Sequence, residues 1–305
     1  MSFSQQVKLE IAAKKVTRPC CALAASYGAA CFGKYFDDKG MVLHTELPEV
    51  ARYVKRVYSM SGIQGEIREK QRPSGSVYEF AVKDPEQVAR MLERFECTGR
   101  ETNLRINAHL FGCQGCFQTF VGTAFLCSGT MTDPNKEYNL EFLTNRYNLA
   151  RDFEALLGEH EFSPHRTCRK GSNIIYVKAS ETILDLLAFM GAAGATMELM
   201  NLKFYRDVRN KANRITNCET ANISKVVNAN AQTHRAIRYL EEQGDLESLP
   251  EALRQAARLR KENPQASLAQ LAALSQPPVS KSGLSHRMKK LESLAAELQK
   301  RRADV

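Results

Sequence analysis

One short spacing in this chain is that of a chemical site. Cys113 and Cys116 form a CxxC pair, which supplies half of a tetrahedral zinc site or a redox dithiol. A zinc site needs two further ligands, and no second pair follows at a regular spacing. Cys97, Cys127, Cys168 and His109 are the candidates, and nothing in their spacing demands any of them. The nine cysteines are scattered and odd in number, which reads as reduced thiols, many of them filling the core. Cys113 and Cys116 are therefore expected to be reduced and metal-free, with no cofactor.

The second chemical signal is charge. The net charge of +9 favours polyanionic partners, nucleic acid first. Two basic clusters stand out, Lys203–Arg214 and Lys281–Lys290; solvated helix faces are the plain alternative for either. The second cluster follows a capping-box pattern at Ser267 and Gln270 and a turn, QPPVS, whose prolines exclude continued helix. A short helix, a turn and a longer basic helix is the order of a helix-turn-helix, whose second helix enters the major groove by its N-terminal end. That end carries the candidate DNA-binding residues Ser280, Lys281, Ser282, Ser285 and His286, with Arg287, Lys289 and Lys290 one turn on. Leu284, Met288 and Leu291 would turn inward against Leu268, Leu271 and Leu274. A protein-docking helical bundle with a basic face is the competing reading.

The elements that must position these residues follow from composition and periodicity. The chain has 305 residues, 43% of them hydrophobic and 25% charged, values of an ordinary globular protein with room for two domains. No stretch approaches the roughly 18 to 20 apolar residues that span a bilayer, and the amphipathic N-terminal helix carries an early glutamate and no cleavage site. A cytoplasmic protein is expected. Cys20–Phe36 reads as a small-residue helix, Met41–Leu47 as a strand, and Pro48 opens a helix ending at Gly62. A hairpin then turns at Pro73, Ser74 and Gly75, and a helix follows Asp84 and Pro85. The order repeats with a helix at Cys116–Cys127, a strand in YNLEFL, a helix at Arg146–Leu157, a hairpin around Gly171 and a helix in SETILDLLAFMG. Setting Ser76–Leu92 over Ser172–Ala188 aligns strand with strand and helix with helix. One α-β-α-β-β-α unit thus occurs twice, an α+β domain paired through its small-residue helices. After Lys203 no strand pattern remains. Ile223, Val226, Val227, Ile237 and Leu240 mark a helix from Asn222 to Glu242, and helices after Pro250, Ser267 and Ser280 complete an all-α domain.

MSFSQQVKLEI at the N-terminus, NRITNCETANISKVVNANAQTHRAIRYLE in the middle and PVSKSGLSHRMKKLESLA near the end resemble the WhiA family of bacterial sporulation and cell-division regulators over essentially the whole chain. The resemblance implies a domain similar to LAGLIDADG homing endonucleases over residues 1–200, a basic linker over 201–221 and a helix-turn-helix domain over 222–305. In such nucleases two helices pack through small residues, and each ends in a metal-binding acid just before a glycine. Here VGTAFLCSG keeps the shape, with Val121, Thr123, Phe125 and Gly129 in place and Thr123 and Gly129 as helix-pair packing residues. The acid position is Ser128, however, and Leu126 stands at the other acidic position. In the first repeat LAASYGAACFG puts Ala30 and Cys31 near the acid and glycine positions. None of these supplies a carboxylate, and a hard cation such as Mg²⁺ needs oxygen anions. Asp37 and Asp133 are the alternatives for a relocated site.

The resemblance therefore implies a sequence-specific DNA-binding transcription regulator acting in cell division, chromosome segregation or sporulation, without nuclease activity. The alternatives are a metal-dependent DNA endonuclease on the same scaffold, or an N-terminal domain that works mainly as a protein-interaction module. Double-stranded DNA is the expected partner, with RNA polymerase or another regulator as a further candidate, and location at the nucleoid follows. Arg52, Lys55, Arg56, Arg68, Arg72, Arg166, Arg169 and Lys170 are candidates for a DNA-facing surface on the first domain. With no heptad repeat or exposed dimer helix in the pattern, a monomer is expected.

Overall fold

The computed structural model describes residues 1–73, 75–101 and 103–303. Ser74 of the expected hairpin loop and the side chain of Val226 lie outside the described residues. The chain divides into two compact units, Met1–Arg206 and Asp207–Val305.

The first unit begins with α1 (Phe3–Ala13), whose Ser2 and Gln5 form a reciprocal capping box. Then come α2 (Pro19–Phe32), β1 (Tyr35–Asp37), β2 (Gly40–Thr45), α3 (Pro48–Met60), β3 (Glu66–Arg72), β4 (Gly75–Val82) and α4 (Pro85–Arg94). The order returns as α5 (Gln114–Ser128), β5 (Gly129–Met131), β6 (Leu140–Thr144), α6 (Tyr147–Glu159), β7 (His165–Arg169), β8 (Ser172–Val177) and α7 (Ser180–Met190). The strands form two antiparallel sheets of identical order, β1-β2-β4-β3 and β5-β6-β8-β7. The α+β duplication is thus present, with one more strand per half than the periodicity indicated. β1 and β5 are three residues each, too short to alternate visibly. α2 also stops at Phe32, because the chain must turn back at once into β1.

The pairing registers correct the internal alignment by one residue. Met41 pairs with Val82 in one sheet and Leu140 with Val177 in the other, so Val82 corresponds to Val177, whereas the sequence alignment set it over Lys178. A one-residue slip on a pleated strand exchanges its two faces. The correct register puts Leu43, Phe80 and Ile67 in one inward row, matched by Phe142 and Ile175 in the other sheet.

α2 and α5 make the most extensive contact between any two elements. A Cβ added to Gly28 would stand 3.0 Å from the carbonyl oxygen of Phe120 and 3.4 Å from Cβ of Thr123, so the two backbones approach as closely as this glycine allows. Thr123 is fully buried; its hydroxyl donates to Thr119 O at 2.8 Å and lies 3.3 Å from Tyr53 Oη. Ser26 donates likewise to Ala22 O at 2.9 Å. Short polar side chains are satisfied by their own helix and do not hold the pair apart. Gly129 works differently. A Cβ there would lie 2.2 Å from the Phe125 ring, so this glycine lets α5 turn directly into β5. Phe32, Phe142 and Phe153 fill the space beneath, with ring centroids 4.9 Å apart in each contact with Phe153.

α8 runs from Ala193 to Glu242, and the boundary between the units falls inside it. Glu10 accepts from Gly194 N and Ala195 N at 2.8 and 3.2 Å, a carboxylate at the positive end of the helix. Residues 201–221, expected as a linker, are helical, and so is the basic stretch Lys203–Arg214. α8 also exposes Phe204, Tyr205, Val208, Ile215, Ile223 and Val227. The second unit continues with α9 (Glu251–Glu262), α10 (Leu268–Leu274) and α11 (Lys281–Ala303). Its core joins Ala236, Ile237 and Leu240 to Ala256, Ala257, Leu271, Leu284, Met288, Leu291 and Ala295.

Gly28→Leu should separate α2 from α5 and lower the stability of the first unit by at least about 1–3 kcal/mol, the usual cost of overpacking. Gly158→Ala, where an added Cβ meets nothing within 4 Å, should be neutral or stabilise by up to about 1 kcal/mol. Urea denaturation of both variants checks this, and equal effects would contradict the close-approach account.

Candidate nucleic-acid interface

α10 and α11 have the order and packing of a helix-turn-helix. The capping box expected at Ser267 and Gln270 is formed, Gln270 N donating to Ser267 Oγ at 3.3 Å. Leu284, Met288 and Leu291 are buried, as their spacing requires, and Leu271 faces them; Leu268 packs on the same core, whereas Leu274 is exposed. The turn places Val279 against this core. Ser280 Oγ accepts from Gly283 N at 3.0 Å and lies 3.1 Å from Ser282 Oγ, so its hydroxyl caps the start of α11.

The remaining candidates spread along the outer side of α11. Lys281, Ser282, His286, Lys289 and Lys290 are exposed, while Ser285 and Arg287 are half-buried. Among the described residues, the side chains of Lys281, His286, Arg287, Lys289 and Lys290 make no hydrogen bond or ion pair. Their donors are available to an external anion. Cations beside free helix amides are the usual means of contacting phosphate, and short polar groups at the same end reach base edges.

The C-terminal ends of α2 and α5, where a homing endonuclease would gather carboxylates, carry none. Both helices are followed by glycine, Gly33 and Gly129, so the residue matching Ser128 by its cap is Phe32. Ala30 lies two residues too early, inside the buried helix. Ser128 donates back to Ala124 O at 3.2 Å, and Leu126 is buried. Cations stand at both ends. The Arg146 guanidinium donates to Cys31 O at 2.8 Å and to Phe36 O at 3.2 Å, capping α2 where its dipole is negative. Lys8 stands 5.9 Å above the Phe125 ring and shares a cavity with Leu126 and Cys127. Burial pushes its pKa down. Asp37 and Asp133 accept from the amides of Lys39 and Asn135 in their own turns, at 2.7 and 2.9 Å.

The basic candidates of the first unit do not form one surface. Arg68 and Arg72 lie on the outer row of the first sheet and Arg169 on that of the second. Arg166 points to the helix side, where it pairs with Glu154 at 2.8 Å and covers the Tyr147 ring. Arg52, Lys55 and Arg56 belong to α3, and Arg56 donates to Lys14 O at 3.1 Å. Lys170 sits in the β7–β8 turn with a positive φ. Sequence reasoning missed Glu79, buried on the outer row of the first sheet between Lys70 Nζ at 2.6 Å and His44 Nε2 at 2.9 Å. The Lys70 and His44 hydrogen bonds hold its carboxyl at about 2.

The thiols differ most from expectation. Cys97, Cys127, Cys168 and His109 do not join Cys113 and Cys116; Cys20 and Cys21 do, all four sulfurs lying within 4.8 Å of one another. The missing second pair is therefore present, contributed by the start of α2. The Cys113 thiol is brought down to about 6 by hydrogen bonds from Cys116, Cys21 and Arg18.

Two family models match the chain: the WhiA LAGLIDADG-like domain over residues 117–209 and the WhiA C-terminal HTH domain over residues 212–295. The probable cell division protein WhiA of Clostridium botulinum is 33% identical, over 98% of this chain and 99% of its own length. That of Ruminiclostridium cellulolyticum is 32% identical over the same shares. The crystal structure of full-length WhiA from Thermatoga maritima covers 97% of this chain and 99% of its own, with a TM-score of 0.61 at 21% identity, a likeness of fold.

Glu79 gives a pH test of the sheet surface. Its folded pKa is depressed, so the stability it contributes is present above the ordinary glutamate value of about 4.3 and is lost as pH falls toward about 2. Glu79→Gln should cost about 1.5–3 kcal/mol near neutral pH, as hydrogen bonds to a charged group do. The gap from the parent should close across that acid window in urea titrations at a series of pH values.

Proposed function

The chain belongs to the WhiA family, and on that premise we propose that it is a non-enzymatic transcription regulator that binds specific sequences of double-stranded DNA. The N-terminal end of α11 is the reader in this proposal. The observation that carries it is the pairing of a buried Leu284–Met288–Leu291 stripe with an opposite side whose cationic side chains have no partner among the described residues. Lys281, Lys289 and Lys290 are assigned to phosphates, Ser282, Ser285 and His286 to base edges, and Arg287 to guanine, which a long guanidinium can reach. Ser280 positions the helix through its cap. The process is cell division, in keeping with the names of the relatives, with chromosome segregation or sporulation as the finer roles. The protein acts as a monomer at the nucleoid.

The nuclease reading is disfavoured by Phe32 and Ser128 at the helix ends and by the cations of Arg146 and Lys8 beside them, which would repel a divalent ion. The first unit is left as a binding platform. Its cations are divided between sheet and helix sides, which favours contact with RNA polymerase or another regulator over a continuous track along DNA.

Purified protein with Mg²⁺ or Mn²⁺ should leave supercoiled plasmid intact. Nicking that copurifies with the protein and disappears in an Asp37→Ala, Asp133→Ala double variant would show a relocated active site. For binding, the probes are a duplex selected by the protein from a random pool and its scrambled counterpart. Lys281→Ala or Lys289→Ala should weaken both alike and lower the salt dependence by roughly one unit. Arg287→Ala should narrow the gap between the two duplexes by about 1–3 kcal/mol, whereas Leu284→Asp should unfold the second unit. If folded Lys281, Ser285 and Arg287 variants bind both duplexes like the parent, α11 is not the reader.

A further inference from the structure

Four thiols from the two central helices meet at the end of the pair opposite the degenerate acid positions. Cys20 and Cys21 are the second and third residues of α2; Cys113 is the N-cap of α5 and Cys116 its third residue. The Sγ–Sγ distances are 3.7 Å for Cys20–Cys113, 3.5 Å for Cys21–Cys113, 3.5 Å for Cys113–Cys116 and 4.0 Å for Cys21–Cys116. A zinc ion bound to four thiolates at about 2.3 Å sets its sulfurs about 3.8 Å apart, the edge of a regular tetrahedron of that radius. The observed spacings bracket that edge. They are too long for any of these pairs to be a disulfide, whose sulfurs stand about 2 Å apart.

The surroundings suit a tetrathiolate. Each ligand lies in the first turn of a helix, where unsatisfied amides and the helix dipole favour an anionic sulfur. A zinc ion with four thiolates carries a net charge of minus two, and Lys14, Lys15 and Arg18 line the cavity shared by Cys21 and Gly115. Glycines let the second chain segment come close. A Cβ on Gly115 would lie 3.4 Å from Cys21 Sγ, and one on Gly112 3.6 Å from Cys20 Cβ. By the cap alignment of Gly33 with Gly129, Cys20 and Cys116 are equivalent in the two repeats, so the cluster lies where the duplicated halves meet. All four protein ligands are sulfur, which selects zinc over Mg²⁺ or Ca²⁺ and leaves no open position for chemistry.

We propose that Cys20, Cys21, Cys113 and Cys116 bind one structural zinc ion that fastens the N-terminal ends of α2 and α5 together. The site is independent of DNA recognition by α11. It links residues 93 positions apart in sequence, and its binding free energy adds to the stability of the first unit because the unfolded chain holds no preformed site.

The test uses the untagged full-length protein, purified under reducing conditions without chelator and analysed for metals by mass spectrometry. About one zinc per chain is expected. Stripping the metal and adding Co²⁺ should produce the sulfur-to-cobalt charge-transfer and ligand-field bands of a tetrahedral four-sulfur site. Cys21→Ser and Cys113→Ser should lose the zinc and lower Tm, while Cys168→Ser and Cys218→Ser, at exposed thiols outside the cluster, should retain it. Parent protein with no zinc above the buffer blank and no cobalt–thiolate bands overturns the proposal. So does iron in place of zinc, or a disulfide between any two of the four in the reduced preparation. The metal analysis and cobalt spectrum are read on the parent protein, so a variant that fails to fold leaves the outcome decided.

Discussion

The carbonyl oxygen of Phe120 lies so near Gly28 that a single methyl group would stand at 3.0 Å from it. This contact sets the distance between α2 and α5, and the rest of the first unit is arranged around that distance. Buried alanines and glycine give the pair little side-chain volume, so its attraction comes from close backbone approach and dispersion over a long interface. The phenylalanines of α2, α6 and β6 then fill the space between helices and sheet. Each sheet repeats the same strand order because each packs on its half of one shared helix pair.

The two ends of that pair have opposite electrostatic characters, and the side chains there follow them. At the C-terminal ends the backbone is partially negative, and the neighbours are the cations of Arg146 and Lys8. A nuclease overcomes the same field with a divalent metal and two carboxylates. With phenylalanine and serine at the cap positions there is nothing to hold such a metal, and an organic cation serves as the cap. At the N-terminal ends the backbone is partially positive, and four thiols gather where thiolates are favoured. The helix dipoles favour an organic cation at one end and an anionic sulfur at the other.

The second unit rests on a smaller core, centred on Leu240, Leu271, Leu284 and Leu291. α10 has only seven residues, too short to hold itself in water, and its capping box and contact with α11 supply what propensity lacks. Burying one stripe of α11 fixes the rotation of the whole helix. Lys281, His286, Lys289 and Lys290 are outward for that reason, and no contact of their own is needed to keep them there.

The sequence by itself determined the α+β duplication, the helical second unit, the buried stripe of α11 and the lack of carboxylates at the helix ends. Each is a local pattern: a period of two or of about 3.6, a cap, or a residue type at one position. Even so, it left the repeats one residue out of register and missed β1 and β5, because three-residue strands carry too little alternation to be read. It also located the first acid position at Ala30, when only the cap at Gly33 identifies Phe32. What tertiary structure alone decided was which distant groups meet. Arg146 at the end of α2, Lys8 beside α5 and Glu79 between Lys70 and His44 depend on packing between elements far apart in the chain. Cys113 and Cys116 looked unpartnered for the same reason: their partners lie at the start of the other helix, and only the close packing of α2 on α5 brings the four sulfurs within 4.8 Å of one another.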